Sequence, residues 1–240
     1  MSASAPAVEL SVVVPAYNES DRLASTVARI RDHLSGRGVS FELVLVDDGS
    51  RDATGDVMRR LAAAAPHVHV VALDRNRGKG RAVREGVLMT SGRRVLITDA
   101  DLSTPIEELA KLERAIDAGA DVATGSRFAR GARIEVAQPP HRVVMGRVFS
   151  AVVQLLLLRG MLDTQCGFKL LRGDVARRVF PGLRIDRFAY DVELLHRCRA
   201  QGAVIAEVPV RWLHSGRSSV VPLRDSAEML RDILVLRVRT

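Results

Sequence analysis

The chain has 240 residues, of which 47% are hydrophobic and 27% charged. That balance excludes a disordered tail and a bundle of membrane spans, and it is enough for an α/β domain with a substantial core. Lys and Arg number 36 against 28 Asp and Glu, a formal charge of +8. Arginine carries almost all of it, since Lys79, Lys111 and Lys169 are the only lysines. A surface this basic suits phosphates, nucleic acid or an anionic membrane face. Cys166 and Cys198 are too few and too far apart for a disulfide framework or a zinc knuckle, which points to a reducing compartment. Residues 1–8 lack the basic flank and apolar core of a signal peptide. The longest apolar stretch, Val148 to Leu158, is interrupted by Ser150 and Gln154, and a span needs about 20 residues. The expectation is a cytoplasmic protein, at most peripheral at the inner membrane face.

No repeat or low-complexity linker divides the chain, so a single domain over residues 1–240 is expected, with a change of rhythm partway. Short β-branched runs mark strands at Leu10–Pro15, Glu42–Val46, Val68–Leu73, Arg94–Thr98 and Asp121–Thr124. Helical stretches lie between them at Glu19–Leu34, Asp52–Ala65, Lys79–Thr90 and Pro105–Ala118. Asp52 with Ser50 is expected to cap the second helix, and Pro105 to open the fourth. Alternation of this kind predicts a mostly parallel sheet flanked by helices. After residue 125 comes a polar loop, Ser126–Pro140, whose length and polarity suit a lid. A helix follows around His141–Arg159, then an unassigned stretch at Asp163–Leu171, a helix at Tyr190–Gln201 and a late strand at Ala203–Val210. The last helix, Leu223–Arg237, aligns Leu230, Ile233, Leu234 and Val238 on one face beside several arginines. That face packs on the sheet or lies on a membrane surface.

Ligands of parallel sheets bind beyond the carboxyl ends of the strands, and four strand ends here carry polar clusters. They are Pro15-Ala16-Tyr17-Asn18-Glu19, Asp47-Asp48-Gly49-Ser50, Arg75-Asn76-Arg77-Gly78-Lys79-Gly80 and Asp99-Ala100-Asp101. One such cluster is explained by turn formation and capping; four along one sheet edge are not. Two carboxylates at Asp99 and Asp101 suit a hard divalent cation, Mg²⁺ or Mn²⁺, whose shell is completed by water and substrate phosphates. The glycine turn with Lys79 suits an anion near a helix N-terminus. Its spacing is that of neither a P-loop nor a dinucleotide fingerprint, which removes ATPase and dehydrogenase readings. A metal–diphosphate site remains, with Asp47 and Asp48 placed to hydrogen-bond a base or ribose.

These residues are recognisable. The chain resembles the family 2 inverting glycosyltransferases of GT-A fold, especially the polyprenyl-phosphate (dolichyl-phosphate) glucosyl- and mannosyltransferases. The resemblance rests on the four clusters together with Gly125-Ser126-Arg127, Asp163-Thr164-Gln165-Cys166-Gly167-Phe168-Lys169 and Ala189-Tyr190-Asp191-Val192-Glu193. It implies a nucleotide-sugar half over about residues 9–125 and an acceptor half over 126–240. It also implies that Pro15, Tyr17 and Glu19 line a nucleoside pocket, Asp47 or Asp48 reads the base, and Lys79 lies near the nucleotide. Asp99 and Asp101 would hold the metal and, with Ala100 between them, bind the nucleotide sugar. Arg127, Gln165 and Lys169 would face the sugar or acceptor phosphate, with Asp191 and Glu193 as acidic groups on the acceptor side. His214 is either a third metal ligand or a solvated surface histidine. Cys166, with no paired base evident, reads as a packed thiol. Many members of the family carry membrane helices, which this sequence lacks.

The implied reaction moves a hexose from a UDP- or GDP-sugar to a polyprenyl phosphate. A phosphate acceptor is already anionic; an alcohol would need Asp191 or Glu193 as base. A nucleotide-sugar mutase, an isomerase using the same donor site without lipid, is the alternative. A nucleic-acid-binding role is disfavoured by 4% aromatic content and scattered arginines. Oligomeric state is open.

Overall fold

The computed structural model describes residues 8–136, 140–213 and 222–239. Strands β1 (Leu10–Ala16), β2 (Phe41–Asp47), β3 (Val68–Ala72) and β4 (Arg94–Ile97) alternate with helices α1 (Leu23–Gly36), α2 (Thr54–Ala64) and α3 (Lys79–Leu88). A 3₁₀ turn at Ile106–Glu108 leads into α4 (Leu109–Asp117) and then β5 (Val122–Ser126). Next come β6 (Arg133–Ile134), α5 (Pro140–Leu156), β7 (Lys169–Arg172), α6 (Gly173–Val179), α7 (Tyr190–Ala200), β8 (Ile205–Pro209), β9 (Arg211–Trp212) and α8 (Pro222–Arg239).

Seven strands form one sheet in the order β3-β2-β1-β4-β7-β5-β8, and β6 pairs with β9 in a separate ladder. All pairings within the large sheet are parallel except those of β7, which runs antiparallel to both β4 and β5. The mostly parallel sheet flanked by helices is therefore as the alternation predicts. Strand β7 sits in the unassigned stretch 163–171. Its run Lys169-Leu170-Leu171 is too short, and opens on too polar a residue, for periodicity to mark it.

Both faces of the central strands are buried, as expected where helices cover both sides. Val12 and Val14 of β1 pack with Leu23, Val27, Ile30 and Leu34 of α1 and with Leu109 and Leu112 of α4. Val13, between them, joins Ala82, Val83 and Val87 of α3 on the opposite face, with Val192, Leu195 and Ile233 from the second half. At about 1.5–3 kcal/mol for each large apolar side chain removed from water, these two layers hold the sheet edge that carries the polar loops.

Several boundaries differ from the sequence reading for local reasons. Helix α1 starts at Leu23 instead of Glu19, because Asn18 is left-handed (φ 56°) and the following residues are used in a turn. Asp52 accepts from the Thr54 N–H at 2.9 Å ahead of α2, whereas Ser50 accepts from the Asn18 N–H at 3.0 Å and caps nothing. In the expected lid, β6 is paired to β9, and residues 137–139 lie outside the described residues. Helix α8 does not present one apolar face: Ile233 is buried while Leu230, Leu234 and Val238 are exposed.

Candidate active site

Strand order reverses between β1 and β4, the place where open α/β sheets bind ligands. β7 matters here because it is antiparallel. Its first residue, Lys169, pairs with Ile97 of β4 and Thr124 of β5, so the start of β7 lies at the same edge as the ends of its neighbours. That single reversal brings residues 163–169 from the second half to the Asp99 turn of the first.

The first two clusters are stitched to each other. Backbone N–H groups of Asn18, Glu19 and Ser20 donate to Ser50, Thr54 and Asp52 side chains, and the Arg51 N–H donates to Asn18 Oδ1 at 2.8 Å. Pro15 is buried in β1; Tyr17 and Glu19 are partly exposed beyond it. Asp47 Oδ1 accepts from the Ser50 N–H at 2.9 Å. Asp48 is nearly buried and accepts from the backbone N–H groups of Arg77 (2.7 Å) and Gly78 (2.9 Å), so it fixes the glycine turn. Burial pushes its carboxyl pKa up, against the pull of those two donors.

The glycine turn serves protein backbone before any ligand. A Cβ at Gly80 would lie 2.4 Å from the Ile185 carbonyl oxygen, and one at Gly78 (φ 106°) would lie 2.6 Å from that of Asp186. The Arg81 N–H donates to that same Asp186 oxygen at 2.9 Å. The open helix N-terminus expected from sequence is thus partly covered by the 185–187 loop, while the Lys79 side chain stays partly exposed.

At the end of β4, Leu102 is held left-handed (φ 45°), a conformation that costs a non-glycine residue about 1–2 kcal/mol. The turn is closed by Leu102 N–H donating to the Asp99 carbonyl, by Thr26 Oγ1 donating to the Ala100 carbonyl, and by Ser103 N–H donating to Asp101 Oδ1. Both carboxylates lie within electrostatic reach of Lys79. Lys79 Nζ lies 2.6 Å from Asp99 Oδ1. Burial disfavours each charge, yet their mutual attraction outweighs it: the Lys79 pKa is raised and the Asp99 pKa lowered. Gly167 packs directly on this carboxylate, since a Cβ there would fall 2.1 Å from Asp99 Oδ2.

Two further ion pairs complete the edge. Arg127, just after β5, forms a fork with Asp163 (Nε to Oδ2 2.7 Å, Nη2 to Oδ1 2.9 Å) and its guanidinium sits over the Phe128 and Trp212 rings. Burial opposes the Asp163 charge, but Arg127 holds its carboxyl below the usual range. Lys169 is fully buried; its Nζ donates to Asp191 Oδ1 and to the Cys166 carbonyl, each at 2.5 Å. Gln165 is partly exposed, its amide 3.9 Å from Met229 Sδ of α8.

Not every residue singled out from sequence reaches this surface. Lys169 lies beneath it. Glu193 is buried in α7, with Oε2 accepting from the Arg184 and Ile185 N–H groups and Oε1 from Arg197 Nε, so it braces the loop that covers Gly80. Cys166 is buried and burial pushes its thiol pKa up, which makes it a poor nucleophile. His214 lies outside the described residues. Sequence reasoning left Asp163, Gly167 and Glu207 without roles, although Asp163 orients Arg127 and Glu207 accepts from the Leu162 and Asp163 N–H groups. Asp163 and Gly167 stand in one polar run with Gln165 and Lys169; Glu207, in a strand, carries no such signal.

Asp99 and Asp101 are hard oxygen donors carrying two negative charges, of which Lys79 offsets one, and this donor set fits Mg²⁺ or Mn²⁺. Among the described residues no group of three metal-ligating side chains occurs, so such an ion would draw its remaining ligands from water or substrate.

Residues 11–180 match the family model "Glycosyl transferase family 2". The mouse dolichyl-phosphate beta-glucosyltransferase is 38% identical over 98% of this chain and 76% of its own. The human enzyme of that name is 35% identical over the same shares, and the Saccharomyces cerevisiae one 29% over 95% and 74%. Among solved structures, glucosyl-3-phosphoglycerate synthase from Mycobacterium tuberculosis with UDP superposes with a TM-score of 0.67 at 20% identity, covering 96% of this chain and 79% of that one. A Pyrobaculum calidifontis mannosyltransferase with GDP-Man and Mn²⁺ gives 0.67 at 21%, covering 97% and 64%. At such identity these structures speak to the fold, which is the GT-A fold of glycosyltransferases.

Proposed function

This chain belongs to glycosyl transferase family 2 and is a glycosyltransferase, and from that premise we propose its reaction: transfer of glucose from UDP-glucose to a polyprenyl phosphate, with inversion. The observation that carries this reading is the convergence of Asp99, Asp101, Lys79 and the Arg127–Asp163 fork on one sheet edge, in a chain akin along nearly its whole length to dolichyl-phosphate beta-glucosyltransferases. Pro15, Tyr17, Glu19 and Asp47 border the nucleoside side. Asp99 and Asp101 would hold Mg²⁺ or Mn²⁺, which when bound neutralises charge on the departing diphosphate. Lys79 meets a phosphate oxygen, and the Arg127 guanidinium, locked by Asp163, gives a fixed positive field that needs no reorganisation as charge develops.

The acceptor assignment has physical support as well. Asp191 is engaged by Lys169 and Glu193 by three donors, so neither is poised to deprotonate an alcohol. A phosphate nucleophile asks for no base. Near the site, α8 reaches Gln165 through Met229, and Arg187 pairs with Glu228 of the same helix at 3.4 Å. Helix α8 packs against α5; Val148, Leu155, Leu230, Leu234 and Val238 of the two helices are exposed, as are Arg147, Arg231 and Arg237. No helix among the described residues is long and apolar enough to cross a membrane; these side chains suit peripheral attachment to an anionic bilayer that holds the acceptor. The mutase reading is not favoured, since the relatives are named as transferases.

Proton NMR of UDP-glucose, UDP-galactose and GDP-mannose, each with protein and Mg²⁺, with and without polyprenyl phosphate, tests the proposal. Release of UDP from UDP-glucose only with lipid is expected. A rearranged nucleotide sugar formed without lipid, or preference for GDP-mannose, would overturn it.

A further inference from the structure

We propose that Lys79 is a resident counter-ion of the cation site, which keeps Asp99 from binding a divalent ion until a nucleoside diphosphate draws the ammonium away. The inference rests on the metal–diphosphate reading above and extends it to the order in which the two ligands bind.

Three observations carry it. First, Lys79 Nζ lies 2.6 Å from Asp99 Oδ1, so it occupies one lone-pair direction that a cation would use, and its own charge repels an incoming divalent ion. Second, one side of the carboxylate is closed by backbone. The Gly167 backbone lies against its Oδ2 face so closely that a methyl group would fall 2.1 Å away. Cys166, the preceding residue, is fixed through its carbonyl by Lys169, itself tied to Asp191. With the Gly167 backbone against one side and the ammonium on Oδ1, a divalent cation that takes Oδ1 displaces the ammonium. Third, it can leave. Lys79 is the first residue of α3 and its side chain is 23% exposed, on a four-carbon stem with freely rotating donors. Lys169, by contrast, is fully buried and cannot play this part.

A diphosphate supplies what the free protein lacks. Its oxygens compete for Lys79, which frees Asp99 Oδ1, and they also furnish ligands beyond the two carboxylates, since no group of three ligating side chains occurs among the described residues. Metal and nucleotide thus bind with positive coupling, and by linkage each raises the other's affinity by the same factor. Lys79 acts twice: as a place-holder in the free protein and as a phosphate ligand in the complex.

The test is Mn²⁺ titration of the unliganded full chain followed by electron paramagnetic resonance of the free ion, repeated with saturating UDP. Wild type is expected to bind Mn²⁺ weakly alone and at least tenfold more tightly with UDP. Lys79→Gln, with Lys79→Met as a second variant should the first not fold, is expected to bind Mn²⁺ alone several-fold more tightly than wild type and to gain much less from UDP. A variant that binds Mn²⁺ alone no better than wild type, while UDP still strengthens wild-type binding, would overturn the place-holder role and leave the metal site standing. Adding Asp99→Asn to Lys79→Gln is expected to abolish the gain. Retention of tight binding in that double variant would place the ion elsewhere, which removes this inference and the metal assignment together.

Discussion

The surroundings of Asp99 are set in part by residues that offer no side chain to a substrate. Gly167 is the plainest case. Alanine there puts a methyl group into the carboxylate, an overpacking worth about 1–3 kcal/mol in stability that is relieved by moving Asp99. Gly167→Ala is expected to lower kcat at least tenfold while lowering Tm by only a few degrees; steady-state kinetics beside a melting curve check this, and a wild-type rate would sink the role assigned to Gly167. Lys169 predicts the opposite balance. Lys169→Met strands Asp191 as an unpaired buried charge, a loss of about 3–5 kcal/mol, or roughly 10 °C in Tm for a chain of this size. Lys169→Met with Asp191→Leu is expected to recover most of that stability. A single variant as stable as wild type would contradict the buried pair.

Among the elements, β7 and α8 do what the alternation of strands and helices does not foretell. β7 is a four-residue strand, Lys169–Arg172, that runs against its neighbours in the sheet, and its direction brings Gln165 and Gly167 to the edge that carries Asp99, with Lys169 beneath. Helix α8 turns Ile233 into the core and leaves Leu230, Leu234 and Val238 outside. Helical spacing predicts an apolar stripe, but a helix apolar on two sides does not say which side is covered. If the acceptor is a membrane lipid, the uncovered side is the one that meets the bilayer. Leu234→Glu with Val238→Glu is expected to cut co-sedimentation with vesicles of anionic lipid at least fivefold without lowering Tm, because both side chains are exposed. Unchanged sedimentation would remove α8 from the membrane contact.

Across the whole molecule, the sequence makes the first half legible because each strand there ends in residues whose chemistry is uncommon for a simple turn. Asp99 and Asp101, Lys79, and Asp47 with Asp48 all stand at the sheet edge where their positions after strands predict them. What sequence does not separate is display from support. Asp48 spends its carboxylate on the Arg77–Gly78 turn, Glu193 on the 184–185 loop, and Lys169 its ammonium on Asp191; a buried brace and an exposed ligand use the same residue types. Gly78 and Gly80 read as room for an anion and serve as room for the 185–187 backbone. Those distinctions depend on which loop of the second half lies over which turn of the first, and no local pattern encodes that.

If this sheet edge moves glucose from a metal-held nucleotide sugar to a lipid phosphate, the sugar itself can be followed. UDP-glucose labelled in the sugar is incubated with polyprenyl phosphate and Mg²⁺, and label entering the organic phase is counted for wild type and Asp101→Ala. Wild type is expected to yield lipid-linked β-glucose, and Asp101→Ala at least a thousandfold less while remaining folded by circular dichroism. Label that stays in the aqueous phase with wild type, or an Asp101→Ala protein that transfers glucose at the wild-type rate, would contradict this assignment.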